Sequence, residues 1–228
     1  MMDDRQSKGG LVSLMAERIV ALGVVALFVA MVVPALIQAN RHRDIVRLTQ
    51  NGQRLREAII RANQIAGVTE SMSVMWPTNS RSGSTEYFLD FFHSDLYTNA
   101  FPADWLAAPG VPVFSGTNMA NFTASNNVWC IAAPLQGQTN DFPFLFTRNF
   151  SVKKDKGRMV SEITRLNPDI APFGDEVGIV VSYRGAVRVI KADELTKEVQ
   201  LPGLFNPTSE TNQFLTPWAK ERRGSVRR

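Results

Sequence analysis

The sequence predicts an α+β protein in which one long, kinked N-terminal helix, half membrane-embedded and half amphipathic, packs on a small antiparallel β-sheet domain. Three observations predict this class. Residues 19–37 carry no charge, apolar residues then recur at helical spacing as far as residue 66, and two β-rich runs late in the chain are joined by a short glycine turn. The long helix is therefore the skeleton of the predicted protein.

The charge-free run is long enough to cross a membrane. Nineteen helical residues at ~1.5 Å per residue cover ~28 Å, which is close to the hydrocarbon thickness of a bilayer. Glu17 and Arg18 stand at its start, and Pro34 lies near its end. Because a secretory signal has a shorter apolar core of about 7 to 15 residues, we predict that this segment is retained as a membrane span.

After Gln38 the predicted helix becomes amphipathic. Its apolar positions recur at helical spacing, and arginines occupy the other faces. The apolar positions are Ile45, Leu48, Leu55, Ile59 and Ala66, and the arginines are Arg41, Arg43, Arg47, Arg54, Arg56 and Arg61. The helix is predicted over residues 13–66, with Gly67 at its end. Pro34 predicts a kink or local melting because proline removes a backbone donor and clashes with the carbonyl one turn earlier.

The rest of the chain predicts one globular domain of modest size. Aromatic residues at mostly helical spacing predict a short helix packed on the long one; they are Tyr87, Phe88, Phe91 and Phe92, followed by Leu96. Apolar runs at residues 126–135 and 142–150 predict buried strands or extended segments, and the runs 177–183 and 186–191 predict a hairpin turning at Arg184 and Gly185. Prolines after residue 201 predict an irregular segment.

The predicted organisation has five parts: a leader at 1–12, the transmembrane half of the helix at 13–40, its amphipathic half at 41–67, the globular α+β domain at 68–217, and a basic tail at 218–228. We interpret the tail as solvated, with contact to anionic lipid headgroups as the alternative. The chain has one cysteine, Cys130, so no intrachain disulfide can form.

The sequence contains no visible catalytic or cofactor-binding constellation, so we predict no enzyme activity and no cofactor. His42 and His93 lack the partners typical of a metal site, and Cys130 lies in an apolar run that suits a small buried hydrophobe. Glycine-rich nucleotide-binding patterns are absent, and nucleic acid is not an expected partner. A Ca²⁺ site stays open as an alternative, although no spaced loop of ligands is visible; the acids concerned are Glu86, Asp90, Asp95 and Asp104.

The N-terminal helix resembles that of type IV pilins and type II secretion pseudopilins. The pattern of that family is a short basic leader, a glycine before the cleavage site, a glutamate five residues into the mature chain, an apolar run, and a proline seventeen residues after that glutamate. Glu17 and Pro34 have this separation, and "PAL" with the polar continuation "IQANRHRDIVRLTQNGQRLREAI" is similar to the family. The resemblance covers about the first 66 residues.

The processing site departs from the family pattern. With Glu17 in the glutamate position, Val12 takes the place of the glycine before the scissile bond, and Ser13 would be the first mature residue. We therefore expect cleavage to be inefficient, or shifted to the bond between Gly10 and Leu11. Methylation of the new N-terminus is a further property that the resemblance implies.

The resemblance implies a structural subunit of a type II secretion pseudopilus or a type IV pilus-like fibre. In the family, the glutamate that Glu17 matches is taken to pair with the terminal amine of a neighbouring subunit and so to set the axial register. The implied partners are pilin-like subunits, of the same or other chains, the inner-membrane assembly machinery and membrane lipid. Two alternatives stay open: a single-span anchored domain that binds envelope partners without polymerising, and an anchored enzyme whose site the sequence hides.

Orientation is predicted differently by charge and by family. Arg41, Arg43 and Arg47 after the span outweigh the leader cations, and by the positive-inside rule this places the globular domain in the cytoplasm. The family has a single span in the bacterial inner membrane with the domain in the periplasm. We follow the family, because these arginines belong to an amphipathic helix that uses them in packing.

Overall fold

A computed structural model of the chain describes residues 5–68, 83–93, 101–116, 121–133, 143–155, 158–196 and 213–215. The helices are α1 (Arg5–Val68), α2 (Ser84–His93) and α3 (Ala192–Thr196). The strands are β1 (Trp129–Ala133), β2 (Pro143–Thr147), β3 (Phe150–Asp155), β4 (Arg158–Leu166), β5 (Val177–Ser182), β6 (Val187–Lys191) and β7 (Gln213–Leu215). A long apolar N-terminal helix followed by an antiparallel sheet confirms the predicted α+β class.

Helix α1 is longer than the sequence predicts. It begins at Arg5, before the predicted start at Ser13, and it ends at Val68 rather than stopping at Gly67. No proline lies between Arg5 and Ser13 to stop the helix there. Pro34 lies inside the helix, and the kink at this residue stays a prediction. The chain divides within α1 into two units, Met1–Val46 and Arg47–Arg228, which we call the N-terminal and C-terminal units.

The C-terminal unit is built on a five-stranded antiparallel sheet with the order β6-β5-β2-β1-β7. The predicted hairpin is confirmed: β5 and β6 pair from Val177 opposite Lys191 to Val181 opposite Val187. Gly185 in the turn has φ 94°, a left-handed conformation that glycine adopts without a steric penalty. Strand β7 pairs with β1 and lies in the region where the sequence predicted an irregular segment. The sequence did not predict this strand because three residues are too few to show a strand period.

Both faces of this sheet are covered. Side chains alternate between the faces along a strand, and Trp129 and Val181 lie on the face that meets α1. The opposite face forms a separate buried cluster, to which the β3–β4 hairpin contributes from outside the sheet; its members are Cys130, Ala132, Phe146, Phe150, Leu166, Val180 and Ile190. The burial of both faces explains why β2 and β5 read as continuous apolar runs rather than as alternating ones.

Helix α2 confirms the short aromatic helix that the sequence predicts. Tyr87, Phe88 and Phe91 are fully buried, and their rings meet at T-shaped angles with centroids 5.2–5.6 Å apart. The Ser84 hydroxyl, at the start of the helix, donates to the carbonyl of Trp129 at 2.7 Å. A side-chain hydrogen bond joins Tyr87 to Asn63 of α1. The helix is thus held both to the first sheet strand and to the long helix, as predicted for packing on α1.

Candidate functional site

Residues 20–37 of α1, in the N-terminal unit, expose apolar side chains on every side of the helix. Leu27 is 59% exposed and Phe28 is 65% exposed, and the other large exposed side chains of this stretch are Val20, Leu22, Val24, Val25, Val29, Met31, Val33, Leu36 and Ile37. Successive residues are about 100° apart around a helix, so these positions surround the axis. A helix that is apolar all round is typical of a membrane span or of a buried core.

This helix is long and apolar enough to cross a membrane, within the candidate range Val20–Gln64. No part of its most apolar stretch is buried against the rest of the chain. Apolar surface in water costs roughly 25 cal/mol per Å², so a stretch of this size requires a cover of lipid or of other protein. The membrane-spanning character that the sequence predicts therefore agrees with the exposure of these side chains.

The sequence-predicted site residues all belong to α1. Pro34 is exposed within the helix, and Arg18, next to Glu17, is also exposed. Glu17 is helical, but its side chain lies outside the described part of the structure. The two candidate cleavage positions fall on helical backbone, since Gly10, Leu11, Val12 and Ser13 are all part of α1. These residues thus lie on one continuous helix.

The part of α1 in the C-terminal unit has one buried face. Leu48, Leu55 and Ile59 are buried, as the helical periodicity predicts. Ile45, the first residue of the predicted stripe, belongs to the N-terminal unit and is half-buried, and the side chain of Ala66 lies outside the described part. Sequence reasoning missed three further buried positions of this face, which are Asn51, Gly52 and Ala62. None of them is large and apolar, so a search for large apolar residues at helical spacing does not find them.

Gly52 lies where α1 approaches the sheet closely. A Cβ built on it would lie 2.6 Å from Trp129 Cη2 and 2.9 Å from Val181 Cγ2. Any larger residue would push the helix away from the strands, because interiors are packed without spare volume. A glycine in the interior of a helix, on the side of the apolar stripe, was the available sequence signal for such an approach.

Two polar side chains of α1 hold the turn between β5 and β6. Arg56 Nε donates to the carbonyl of Tyr183, and the Arg56 guanidinium lies 6.0 Å from the centroid of the Tyr183 ring. Gln53 Nε2 donates to the carbonyl of Gly185 at 3.2 Å. These contacts bind the helix to a turn that is more than a hundred residues further along the chain, and they give a half-buried arginine a structural use.

Arg148 and Asn149, in the turn between β2 and β3, donate hydrogen bonds to backbone carbonyls of neighbouring loops. Arg148 Nε donates to the Ala171 carbonyl at 2.9 Å, and its Nη1 donates to the Ala124 carbonyl at 2.8 Å. Asn149 Nδ2 donates to the carbonyls of Gly174 and Val177. Burial lowers the pKa of Arg148. These two adjacent residues stabilise the loop that precedes β5, because they donate hydrogen bonds to its carbonyls, and buried carbonyls need such donors.

The residues that the sequence weighed for chemistry do not form a reactive centre in the described part of the chain. Cys130 is buried, and burial raises the pKa of its thiol, so it is an inert small hydrophobe as predicted. His42 is exposed, and the side chain of His93 lies outside the described part. Among the described residues, no group of three or more His, Cys, Asp or Glu side chains is placed to hold a metal ion.

The described acids that were weighed for Ca²⁺ do not form a metal-binding group. Asp104 lies 3.8 Å from Arg47 in an exposed pair of the kind that contributes little to stability. Glu86 is half-buried, Asp90 is exposed, and Asp95 lies outside the described residues.

Comparisons of the chain with protein-family models, with curated proteins and with solved structures gave no match.

Proposed function

We propose that the chain is a pilin-like structural subunit of a type II secretion pseudopilus or type IV pilus-like fibre, and that it assembles through α1. The observation that carries the proposal is the uncovered apolar surface of residues 20–37, on the same helix whose later residues are packed on the sheet. One part of the helix therefore packs on its own domain, and the other part stays exposed and can pack against a partner. The spacing of Glu17 and Pro34 adds to this argument.

The physics of the two environments explains how one helix serves as anchor and as fibre core. Inside a bilayer, lipid tails cover the apolar surface as well as another helix would, so hydrophobic burial gives no drive for association. Once a subunit is drawn out of the bilayer, the same surface can leave contact with water only by packing against other subunits. Membrane extraction and helix stacking are thus coupled.

The proposal places the protein in the bacterial inner membrane, with one span and the globular domain in the periplasm. Its partners are other pilin-like subunits, the inner-membrane assembly machinery and membrane lipid. The chemistry is structural, without catalysis or a cofactor.

Cysteine crosslinking tests assembly through α1. In a Cys130→Ala background, Ala26→Cys places a thiol on the exposed apolar surface, and Ala62→Cys places one on the buried face. We expect oxidation of membranes and of sheared surface material to join Ala26→Cys chains across adjacent subunits. If Ala30→Cys is combined with Ala26→Cys, the product should be a ladder of many subunits. Ala62→Cys should stay monomeric, because its thiol is covered by the sheet domain.

The outcome separates the proposal from its main alternative. A single-span anchored domain that binds envelope partners would give monomers, or at most dimers, at all positions and no sheared material. That result would sink the fibre role.

A further inference from the structure

Strand β6 forms one edge of the five-stranded sheet. Among the described residues it pairs only with β5, and no described strand lies beyond it. An edge strand presents unpaired backbone N–H and C=O groups that can pair with a strand of another chain, and proteins often block such an edge with a proline or a β-bulge. β6 contains no proline, and its register with β5 has no shift between Val187 and Lys191. The edge is therefore open to pairing.

The hydrogen bonds at the two ends of the hairpin determine which residues face the open edge. Ser182 N donates to the carbonyl of Ala186, and Ala192 N donates to the carbonyl of Glu176. In an antiparallel ladder, residues whose backbone groups face the partner strand alternate with residues whose groups face away from it. The residues of β6 that face β5 are thus Arg188 and Ile190, and those that face the open edge are Val187, Val189 and Lys191.

The open edge also carries apolar surface. Val187 lies opposite Val181, whose side chain is on the face that meets α1, so Val189 is on this face as well. Val187 is half-buried and Val189 is 39% exposed. A further strand at this edge would pair the free backbone groups and cover the valines together.

We propose that β6 pairs with β6 of a second copy of the chain, in antiparallel orientation and centred on Val189. In this register Val189 lies opposite Val189, Val187 lies opposite Lys191, and Arg188 lies opposite Ile190. The residues that face the open edge then form hydrogen-bonded pairs. No two cations of β6 lie directly opposite each other, and the aliphatic stem of Lys191 covers Val187. A parallel, in-register pairing would instead place Arg188 beside Arg188, where like charges are unfavourable.

This contact goes beyond the proposed function and does not depend on it. A two-fold contact is closed by a single partner, so it joins two chains or two fibres and does not extend a fibre. Two five-residue strands bury less than the ~1,200 Å² of a standard interface, and we expect weak association in dilute solution. Chains confined to one membrane have a higher effective concentration, which favours the pairing.

Cysteine crosslinking tests the register, in membranes that contain the full chain with Cys130→Ala. Val189→Cys should give a disulfide-linked dimer on oxidation, because the Cα atoms of a hydrogen-bonded pair are ~5.5 Å apart and within disulfide range. Val187→Cys and Lys191→Cys should each stay monomeric alone and should crosslink when they are co-expressed. Arg188→Cys is the matched control on the same strand, since its two copies lie diagonally, more than ~7 Å apart, and should stay monomeric.

Charges at position 189 test the pairing independently, with the crosslink between co-expressed Val187→Cys and Lys191→Cys chains as the readout. Val189→Glu in both chains places two carboxylates opposite each other and should lower the crosslinked fraction about two- to fivefold, and Val189→Lys in both chains should do the same. Val189→Glu in one chain with Val189→Lys in the other should restore it. Because Val189 is partly exposed, each variant should keep the wild-type unfolding midpoint in detergent micelles, measured by tryptophan fluorescence.

Three results would overturn the pairing. Crosslinking of Val187→Cys to itself would show a parallel arrangement. Equal crosslinking of Val189→Cys and Arg188→Cys would show random collision in the membrane. A disulfide between Val189→Cys and a different protein would assign the edge to another partner. Absence of the fibre ladder from the cysteines at positions 26 and 30 would bear on the proposed function alone, because the β6 contact does not involve α1.

Discussion

Helix α1 has two regions with the same secondary structure and opposite environments. Leu27, in the N-terminal unit, is 59% exposed, and Leu55, in the C-terminal unit, is fully buried. In the first region, residues 20–37 are apolar on every side and uncharged, while the second region has one apolar face and arginines on the others. The contrast shows that helix formation is a local property. Whether a leucine is buried depends on how the apolar and charged residues around it are arranged on the helix, because this arrangement decides which face another element can pack against.

The regions also differ in how they use a small residue. Gly23 has no atom within 4 Å of the position that a Cβ would take, while Gly52 has Trp129 at 2.6 Å. Gly23 lies on the helix surface and has no neighbour from the same chain at its Cβ position. Gly52 instead sets the distance between helix and sheet. Each position offers a matched control for the other.

The largest expected effect comes from placing a carboxylate in each region. Leu55→Asp should destabilise the C-terminal unit by about 4 kcal/mol, because it buries an unpaired charge and removes apolar packing. Leu27→Asp should leave the unfolding of that unit unchanged and lower membrane insertion by about 3 kcal/mol. Both variants are made in the full chain. The stability of the C-terminal unit is measured by denaturant unfolding in detergent micelles with tryptophan fluorescence, and membrane insertion is measured by extraction of membranes. Equal unfolding midpoints for Leu55→Asp and wild type would show that the stripe is not buried in the subunit.

A smaller effect is expected from adding one methyl group to each glycine. Gly52→Ala should destabilise the C-terminal unit by about 2 kcal/mol, since overpacking against Trp129 outweighs the better helix propensity of alanine. Gly23→Ala has open space around it and should leave unfolding unchanged. The measurement is the unfolding midpoint in the same micelles. A Gly52→Ala chain as stable as wild type would mean that the helix and sheet can separate at no cost.

The smallest effect concerns pH and the sheet face that lies away from α1. Burial raises the pKa of the Cys130 thiol, so in the folded chain it stays protonated while the unfolded chain loses the proton above pH ~8.5. The unfolded state then binds fewer protons, and the free energy of unfolding falls as pH rises, by up to about 1.4 kcal/mol per pH unit. The Cys130→Ala chain should show a shallower decline between pH 8.5 and 10 in denaturant titrations. Identical slopes in the two chains would argue that the thiol is not buried.

The parts that the sequence could predict are those controlled by nearby residues. The membrane-length run, the stripe of Leu48, Leu55 and Ile59, and the hairpin at Gly185 each depend on a period or a turn within a few residues, and the structure contains all of them. Glu17 and Pro34 were selected by spacing alone, and their roles stay predictions. The predicted start of α1 at Ser13 was wrong, since the helix begins at Arg5 and no proline between the two residues interrupts it.

Tertiary structure alone decided which distant residues meet. Arg56 reaches a carbonyl 127 residues away at Tyr183, Arg148 is held by the carbonyls of two loops, and β7 joins the sheet beside β1. No local period marks these contacts, because a carbonyl is present at every residue and a three-residue strand is too short to show alternation. The place of Gly52 on the apolar stripe is visible in the sequence, but its contact with Trp129 is seen only in the tertiary structure. The sequence by itself determined where the helices, the span and the hairpin form; packing determined their partners, because contact between remote segments depends on the shape and volume of both surfaces.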